Sequence, residues 1–76
     1  MKLISTLRNR NTGNESKSIF SAECSLGQAL TMIESWCNNN EADYPRACDL
    51  WKNDGNIRIN VYTKDHMYVN FFEIMD

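Results

Sequence analysis

The sequence has few of the residues and motifs that mark the common catalytic and cofactor-binding classes. Its 76 residues include only three glycines, one proline, three cysteines and one histidine. The glycines Gly13, Gly27 and Gly55 are isolated from one another, so phosphate-cradling loops and dinucleotide fingerprints are missing, and no GxSxG nucleophile motif occurs. The sequence therefore predicts a protein that is not an enzyme and needs no cofactor.

Paired cysteines and long apolar runs are also missing. Cys24, Cys37 and Cys48 are odd in number and contain no CxxC pair. A zinc site that combines them with His66 would lack the short ligand spacing of specific sites, so no metal is predicted. The opening MKLISTLRNRN has no apolar core of a signal peptide, and no stretch approaches the roughly 18 to 20 apolar residues of a membrane span. These features predict a cytoplasmic protein without a membrane partner.

The chain has no basic surplus. Eight Lys and Arg against ten Asp and Glu give a formal net charge of −2, whereas general nucleic-acid binders usually carry excess positive charge. The charge is unevenly placed, since residues 1–20 hold four cations against one carboxylate, while residues 21–50 hold one cation against five. Such an asymmetry can orient a polar partner.

The residues that are present predict one small folded domain spanning 1–76. At 42% hydrophobic and 24% charged the composition is that of a globular protein, and a chain of this size buries only about 60% of the surface that it exposes when unfolded. Partial alternation and β-branched residues favour strands over residues 2–9 and 17–23. A turn near Gly13 would join them in a hairpin.

One helix is predicted in CSLGQALTMIESWCNNN. Ser25 and Gln28 have the spacing of a capping box, so the helix should begin at Leu26, and the asparagine triplet should end it near residue 38. Three- and four-residue steps place the apolar positions on one stripe, which should pack on the sheet. These positions are Leu26, Ala29, Leu30, Ile33, Trp36 and Cys37.

Three more strands follow in the prediction, at residues 46–52, 57–62 and 67–74. A short helix starting at Pro45 competes with the first of them, because Asp43 could cap it. The Asp-Gly pair at residues 54–55 favours a tight hairpin and hence a strand on each side. The predicted fold class is α+β, an antiparallel sheet with one helix on one face, in the order ββαβββ.

The register of the last hairpin decides which side chains are buried. If the loop has an even number of residues, with Tyr62 opposite Met67, Asn70 comes to face Ile59, and an unpaired buried amide costs about 1 to 3 kcal/mol. An odd loop of residues 63–65 avoids this cost and is predicted instead. It pairs only apolar residues across the strands, namely Val61 with Met67, Ile59 with Val69 and Ile57 with Phe71.

This register leaves polar and aromatic residues on the face that one helix cannot cover. Arginine and aromatic side chains are enriched in interface hot spots, so this face is the predicted partner-binding surface, with the loop acids Glu41 and Asp43 as a second candidate. The alternatives are an ordinary solvated face, a homodimer contact and stacking of single-stranded nucleic acid. The predicted residues are Arg58, Asn60, Tyr62, Tyr68, Asn70 and Phe72.

In its size and its order of elements the chain resembles small α+β proteins of phages and mobile elements, including several anti-CRISPR proteins. The resemblance lies in a hairpin (KLISTLRNRNTGNESKSIFSAE), a capped helix (SLGQALTMIESWC) and C-terminal strands. It implies a non-enzymatic wedge that binds a host protein complex, such as a ribonucleoprotein, and blocks its work. The predicted function is therefore a protein-binding module of this inhibitory kind, and the alternatives are a small single-stranded nucleic-acid binder and a homodimeric accessory protein.

Overall fold

The computed structural model describes residues 1–44, 50–53 and 56–76, with residues 50–53 described in their backbone only. They form one helix and five antiparallel strands, which confirms the α+β class and the order ββαβββ. The elements are β1 (Lys2–Asn9), β2 (Glu15–Ser21), α1 (Leu26–Asn39), β3 (Leu50–Asn53), β4 (Asn56–Tyr62) and β5 (Tyr68–Met75).

The strands lie in the order β2-β1-β5-β4-β3. The first and last strands of the chain are therefore neighbours, and their antiparallel ladder runs from Lys2 opposite Met75 to Asn9 opposite Tyr68. This ladder joins the N-terminal hairpin to the C-terminal strands. Among the described strands, β2 and β3 form the two edges of the sheet.

The N-terminal hairpin confirms the predicted turn near Gly13. Gly13 has a φ of 78° and donates its N–H to the Asn9 carbonyl at 2.8 Å, a conformation that glycine adopts without a steric penalty. The Asn9 side chain also accepts the N–H groups of Asn11 and Thr12. The second strand begins at Glu15, two residues earlier than predicted, because the turn needs only residues 10–14.

The helix begins at Leu26, as the capping box predicts. The Ser25 side chain accepts the Gln28 N–H at 3.1 Å, and the Gln28 side chain accepts the Ser25 N–H at 2.9 Å. Ala29, Ile33 and Cys37 are buried, and Leu30 and Trp36 pack against the core. Leu26, in the first turn of the helix, remains 39% exposed.

A strand at Leu50–Asn53 confirms the predicted strand over part of its length. Its backbone pairs with β4 from Leu50 opposite Ile59 to Asn53 opposite Asn56. Residues 45–49, where the competing short helix would begin, lie outside the described residues, and so do Asp54 and Gly55 of the predicted turn.

The predicted register of the β4–β5 hairpin is wrong. Tyr62 lies opposite Val69, not His66, and the ladder continues to Ile57 opposite Ile74. The Thr63 N–H still donates to the Tyr68 carbonyl at 3.1 Å, so the loop consists of the four residues 64–67. The loop is therefore even-numbered, and every side chain of β5 lies on the face opposite to the predicted one.

A hydrogen bond from a distant strand explains this register. Asn70 is 1% exposed, and its Oδ1 accepts the hydroxyl of Ser5 in β1 at 2.7 Å. The penalty that argued against burying Asn70 applies only to an unpaired amide. Because Ser5 is 65 positions away in the sequence, the hairpin alone does not reveal this partner.

The core consequently has a different composition from the predicted one. Ile59 and Val61 are buried as expected, but they lie opposite Phe72 and Asn70 of β5, and Ile57, opposite the buried Ile74, is partly buried. Met67 is 42% exposed in the loop. The other buried members of the core are Leu3, Cys24, Ala29, Ile33, Cys37 and Ala42.

Candidate protein-binding surface

The face of the sheet that α1 does not cover, called the open face below, consists of three rows of side chains that run across the strands. Alternation along each strand and the observed registers define the rows. The rows are Ile19, Ile4, Glu73 and Arg58; Lys17, Thr6, Phe71 and Asn60; and Glu15, Arg8, Val69 and Tyr62.

Two arginines on the open face lie over aromatic rings. The guanidinium carbon of Arg8 is 5.3 Å from the centre of the Phe71 ring, and that of Arg10 is 5.3 Å from the centre of the Tyr62 ring. Both distances are within the range of cation–π attraction. Arg10 is also fixed by its backbone N–H, which donates to the Met67 carbonyl at 2.8 Å.

Two ion pairs hold the guanidinium groups of Arg8 and Arg58 on this face. Nη2 of Arg8 lies 2.9 Å from Oε2 of Glu15, and Nη2 of Arg58 lies 3.3 Å from Oε2 of Glu73. Exposed pairs such as these contribute little stability, about 0 to 1 kcal/mol. Each pair instead fixes the orientation of a guanidinium group that remains accessible, since the Arg8 side chain is 46% exposed and the Arg58 side chain is 60% exposed.

Charge is separated between the two sides of the molecule. The open face, with Arg10 and with Lys2 at the end of β1, carries five cations against the two carboxylates Glu15 and Glu73, a net charge of +3. The other described residues carry two cations, Lys52 and Lys64, against six carboxylates, a net charge of −4. The protein therefore has a basic sheet face although its overall net charge is −2.

The structure brings together only some of the predicted partner-binding residues. Arg58, Asn60 and Tyr62 lie on the open face, and Tyr62 is 44% exposed. Asn70 and Phe72 are buried beneath the helix, so their predicted exposure is wrong. Their burial has a physical cause, because Ser5 satisfies the amide of Asn70, and the Phe72 ring packs edge to face on Phe20 and Trp36.

Tyr68 is exposed, as predicted, but it is not part of the open face. It begins β5, opposite Asn9, and it alternates with Val69 and therefore lies on the helix side. Its exposed fraction is 37%.

Sequence reasoning missed the part of the open face that comes from the first hairpin. Arg8 and Lys17 lie there because β1 and β2 pair through Thr6 opposite Lys17 and Arg8 opposite Glu15. The alternation of Ile4, Thr6 and Arg8 was a usable signal for one face of β1. The contact of β1 with β5, which places Arg8 beside Phe71, has no local signal in the sequence.

Arg8, Arg58 and the two carboxylates of the open face border a shallow groove of about 310 Å³. Ile4 and Thr6 lie along it, with Arg8 and Glu15 at one side and Arg58 and Glu73 at the other. A groove bordered by fixed guanidinium groups can accept carboxylate or carbonyl oxygens through the remaining N–H donors.

The second predicted candidate, the loop acids, lies apart from the open face. Glu41 and Asp43 are both exposed beyond the end of α1. The Glu41 carbonyl accepts the Lys64 N–H at 2.9 Å, and the Asp43 N–H donates to the Tyr62 carbonyl at 3.3 Å. These backbone contacts attach the segment to the β4–β5 loop and leave both carboxylates in solvent.

The two described cysteines lie in the core and are not part of a cluster of metal-ligating side chains. Cys24 and Cys37 are free and buried, and burial, with smaller contributions from Asp43 and Glu34, raises the pKa of the Cys37 thiol. A thiol with a raised pKa is a poor nucleophile and a poor metal ligand at neutral pH. Among the described residues no three His, Cys, Asp or Glu side chains converge, and Cys48 lies outside that part of the chain.

Comparisons with family models, with curated proteins and with solved structures find no match to this chain. In the part of the chain that the structure describes, no helix has the length and apolar character needed to cross a membrane.

Proposed function

We propose that this chain is a non-enzymatic protein-binding module whose contact surface is the open face. The observation that carries the proposal is the set of three arginines held in place on a face that α1 does not cover: Arg8, Arg10 and Arg58. Arginine is enriched in the energetic centres of interfaces. A guanidinium group that is already oriented loses less conformational freedom on binding.

The charge of the open face favours an acidic partner surface. A net +3 on this face and a net −4 on the other described residues would orient an approaching acidic protein toward the sheet. The carboxylates Glu15 and Glu73 take only part of the donor capacity of Arg8 and Arg58. A partner carboxylate would bind to the remaining donors.

More narrowly, we propose that the chain is a phage-encoded inhibitor that blocks a host defence complex of the CRISPR–Cas type by steric hindrance. Support comes from the resemblance in size and element order to anti-CRISPR proteins. A body of 32 × 21 × 21 Å is large enough to cover a protein-binding or nucleic-acid-binding cleft. Inhibition by blocking is stoichiometric, so activity should fall in proportion to the inhibitor added until the complex is saturated.

Affinity capture from a host lysate that contains such a complex tests the proposal. The open-face variant Arg58→Ser/Tyr62→Ser should lose a protein or ribonucleoprotein complex that the wild type recovers. The matched control Glu34→Ser/Ser35→Ala, on the exposed side of α1, should recover it in full. Equal recovery by the open-face variant, or recovery of bare nucleic acid alone, would contradict the proposal.

A second candidate function, binding of single-stranded nucleic acid, is favoured by the arginine–aromatic pairs on a basic sheet face. It is the weaker candidate because the Arg8 guanidinium already covers the Phe71 ring and Glu15 and Glu73 would repel phosphates. Labelled single-stranded DNA and RNA oligonucleotides at low salt distinguish the two candidates. Tight binding that Tyr62→Ser abolishes would favour this second function over the first.

A further inference from the structure

The outer edge of β2 is a free strand edge next to the open face. In the described residues no strand pairs with this edge, and Glu15 to Phe20 are all exposed. Ile19, on the open face, is 62% exposed. An edge of this kind presents unpaired N–H and C=O groups that can accept another strand.

A groove lies beside the end of this edge, between β2 and α1. Its volume is about 650 Å³, and its walls include Ser21, Cys24, Thr31 and Met32. Phe20 is on the same side of the sheet, where its ring packs on Phe72 and remains 38% exposed. A strand added along β2 would direct alternate side chains into this groove, and its other side chains would extend the open face.

The charges on β2 favour an acidic partner strand. Glu15 is paired with Arg8, whereas Lys17 has no ion pair among the described residues. An added strand with an acidic side chain opposite Lys17 would therefore form a favourable cross-strand pair. A second copy of the chain fits less well, because antiparallel pairing of two β2 strands over their full length would place Lys17 opposite Ile19 and leave it without a carboxylate partner.

We propose that β2 binds one extended acidic segment of the partner protein as a sixth strand. The segment has a carboxylate opposite Lys17 on the open face and an apolar side chain opposite Phe20, on the side of the groove. The two positions are three residues apart, so an extended segment presents them on opposite faces. This inference rests on the proposed function, since it describes how a protein partner would reach the open face.

A short peptide that alternates glutamate and valine, about as long as the seven residues of β2, serves as the probe. Its binding should shift the amide resonances of β2 and slow their hydrogen exchange. A peptide with lysine in place of glutamate should bind about two- to fivefold more weakly. A glutamate–valine peptide that is N-methylated on the edge facing β2 should not bind, because it cannot form the ladder.

Charge reversal in the protein completes the experiment. Lys17→Glu should weaken binding of the glutamate peptide about two- to fivefold and strengthen binding of the lysine peptide, whereas the control Lys64→Glu, in the β4–β5 loop, should leave both affinities unchanged. Equal binding of the N-methylated peptide, or self-association of the protein through β2 in light scattering, would overturn the inference. If no peptide binds while Arg58→Ser/Tyr62→Ser still abolishes partner recovery, the strand-addition mode is wrong and the proposed function stands.

Discussion

At the scale of single residues, one buried amide decides which face of β5 is the core. Asn70 would be costly between Val61 and Leu7 if its oxygen had no donor, and the Ser5 hydroxyl supplies that donor at 2.7 Å. Phe72 then faces the helix and Phe71 faces Arg8. The hydrogen bond between Ser5 and Asn70 thus stabilises the register that buries Phe72 and places Phe71 on the open face.

A double-mutant cycle on Ser5 and Asn70 tests whether their hydrogen bond stabilises the fold. Ser5→Ala leaves the Asn70 oxygen without its donor, and it should lower the free energy of unfolding by about 1 to 3 kcal/mol. Asn70→Leu alone leaves the Ser5 hydroxyl unpaired and should also destabilise. The double variant should cost less than the sum of the two, because both polar groups are removed together. Urea denaturation measures the three values, and strict additivity would show that the bond does not couple them.

At the scale of elements, both the helix and the β4–β5 loop are held by hydrogen bonds between residues close in the sequence, but only the helix is predicted correctly. The helix is predicted correctly because Ser25 and Gln28 satisfy each other within one turn. The loop has local signals too: the Thr63 hydroxyl donates to Asp65, and the Met67 N–H donates to the same carboxylate. Those bonds, with His66 in a left-handed conformation at φ 61°, form the four-residue loop, and pattern reasoning on apolar pairs overlooked them.

The Asp65 carboxylate should give this loop a measurable dependence on pH. The hydrogen bond from Thr63, followed by that from the Met67 N–H, lowers the pKa of Asp65 from its ordinary 3.8. Because the folded-state pKa is the lower one, the contribution to stability is present above pH about 4 to 5 and is lost as pH falls through the folded-state value. Thr63→Val should return the pKa of Asp65 toward 3.8, as measured by carboxyl carbon NMR titration. The control Thr6→Val should leave it unchanged, and an unaltered Asp65 titration in Thr63→Val would refute the assignment.

At the scale of the whole molecule, the β1–β5 ladder places both termini at the centre of the sheet. The six elements and their order follow from local signals: turn residues, a capping box and alternation. The order of the strands in the sheet and the composition of the open face do not, because they depend on contacts between residues up to 73 positions apart, such as Lys2 and Met75. Sequence reasoning therefore found Arg58, Asn60 and Tyr62 and missed Arg8, which enters the surface only through this ladder.

A proline scan distinguishes the central strand from the edge strand. In β1, which pairs on both sides, each backbone N–H faces a neighbouring strand, so Thr6→Pro and Leu7→Pro should both abolish the cooperative unfolding transition. In β2, consecutive N–H groups point alternately toward β1 and away from it. Therefore only one of Lys17→Pro and Ser18→Pro should be strongly destabilising, and the other should retain a native far-ultraviolet circular dichroism spectrum. Unfolding of both β2 variants would mean that the outer edge of β2 is already paired, and tolerance of either β1 variant would contradict the observed strand order.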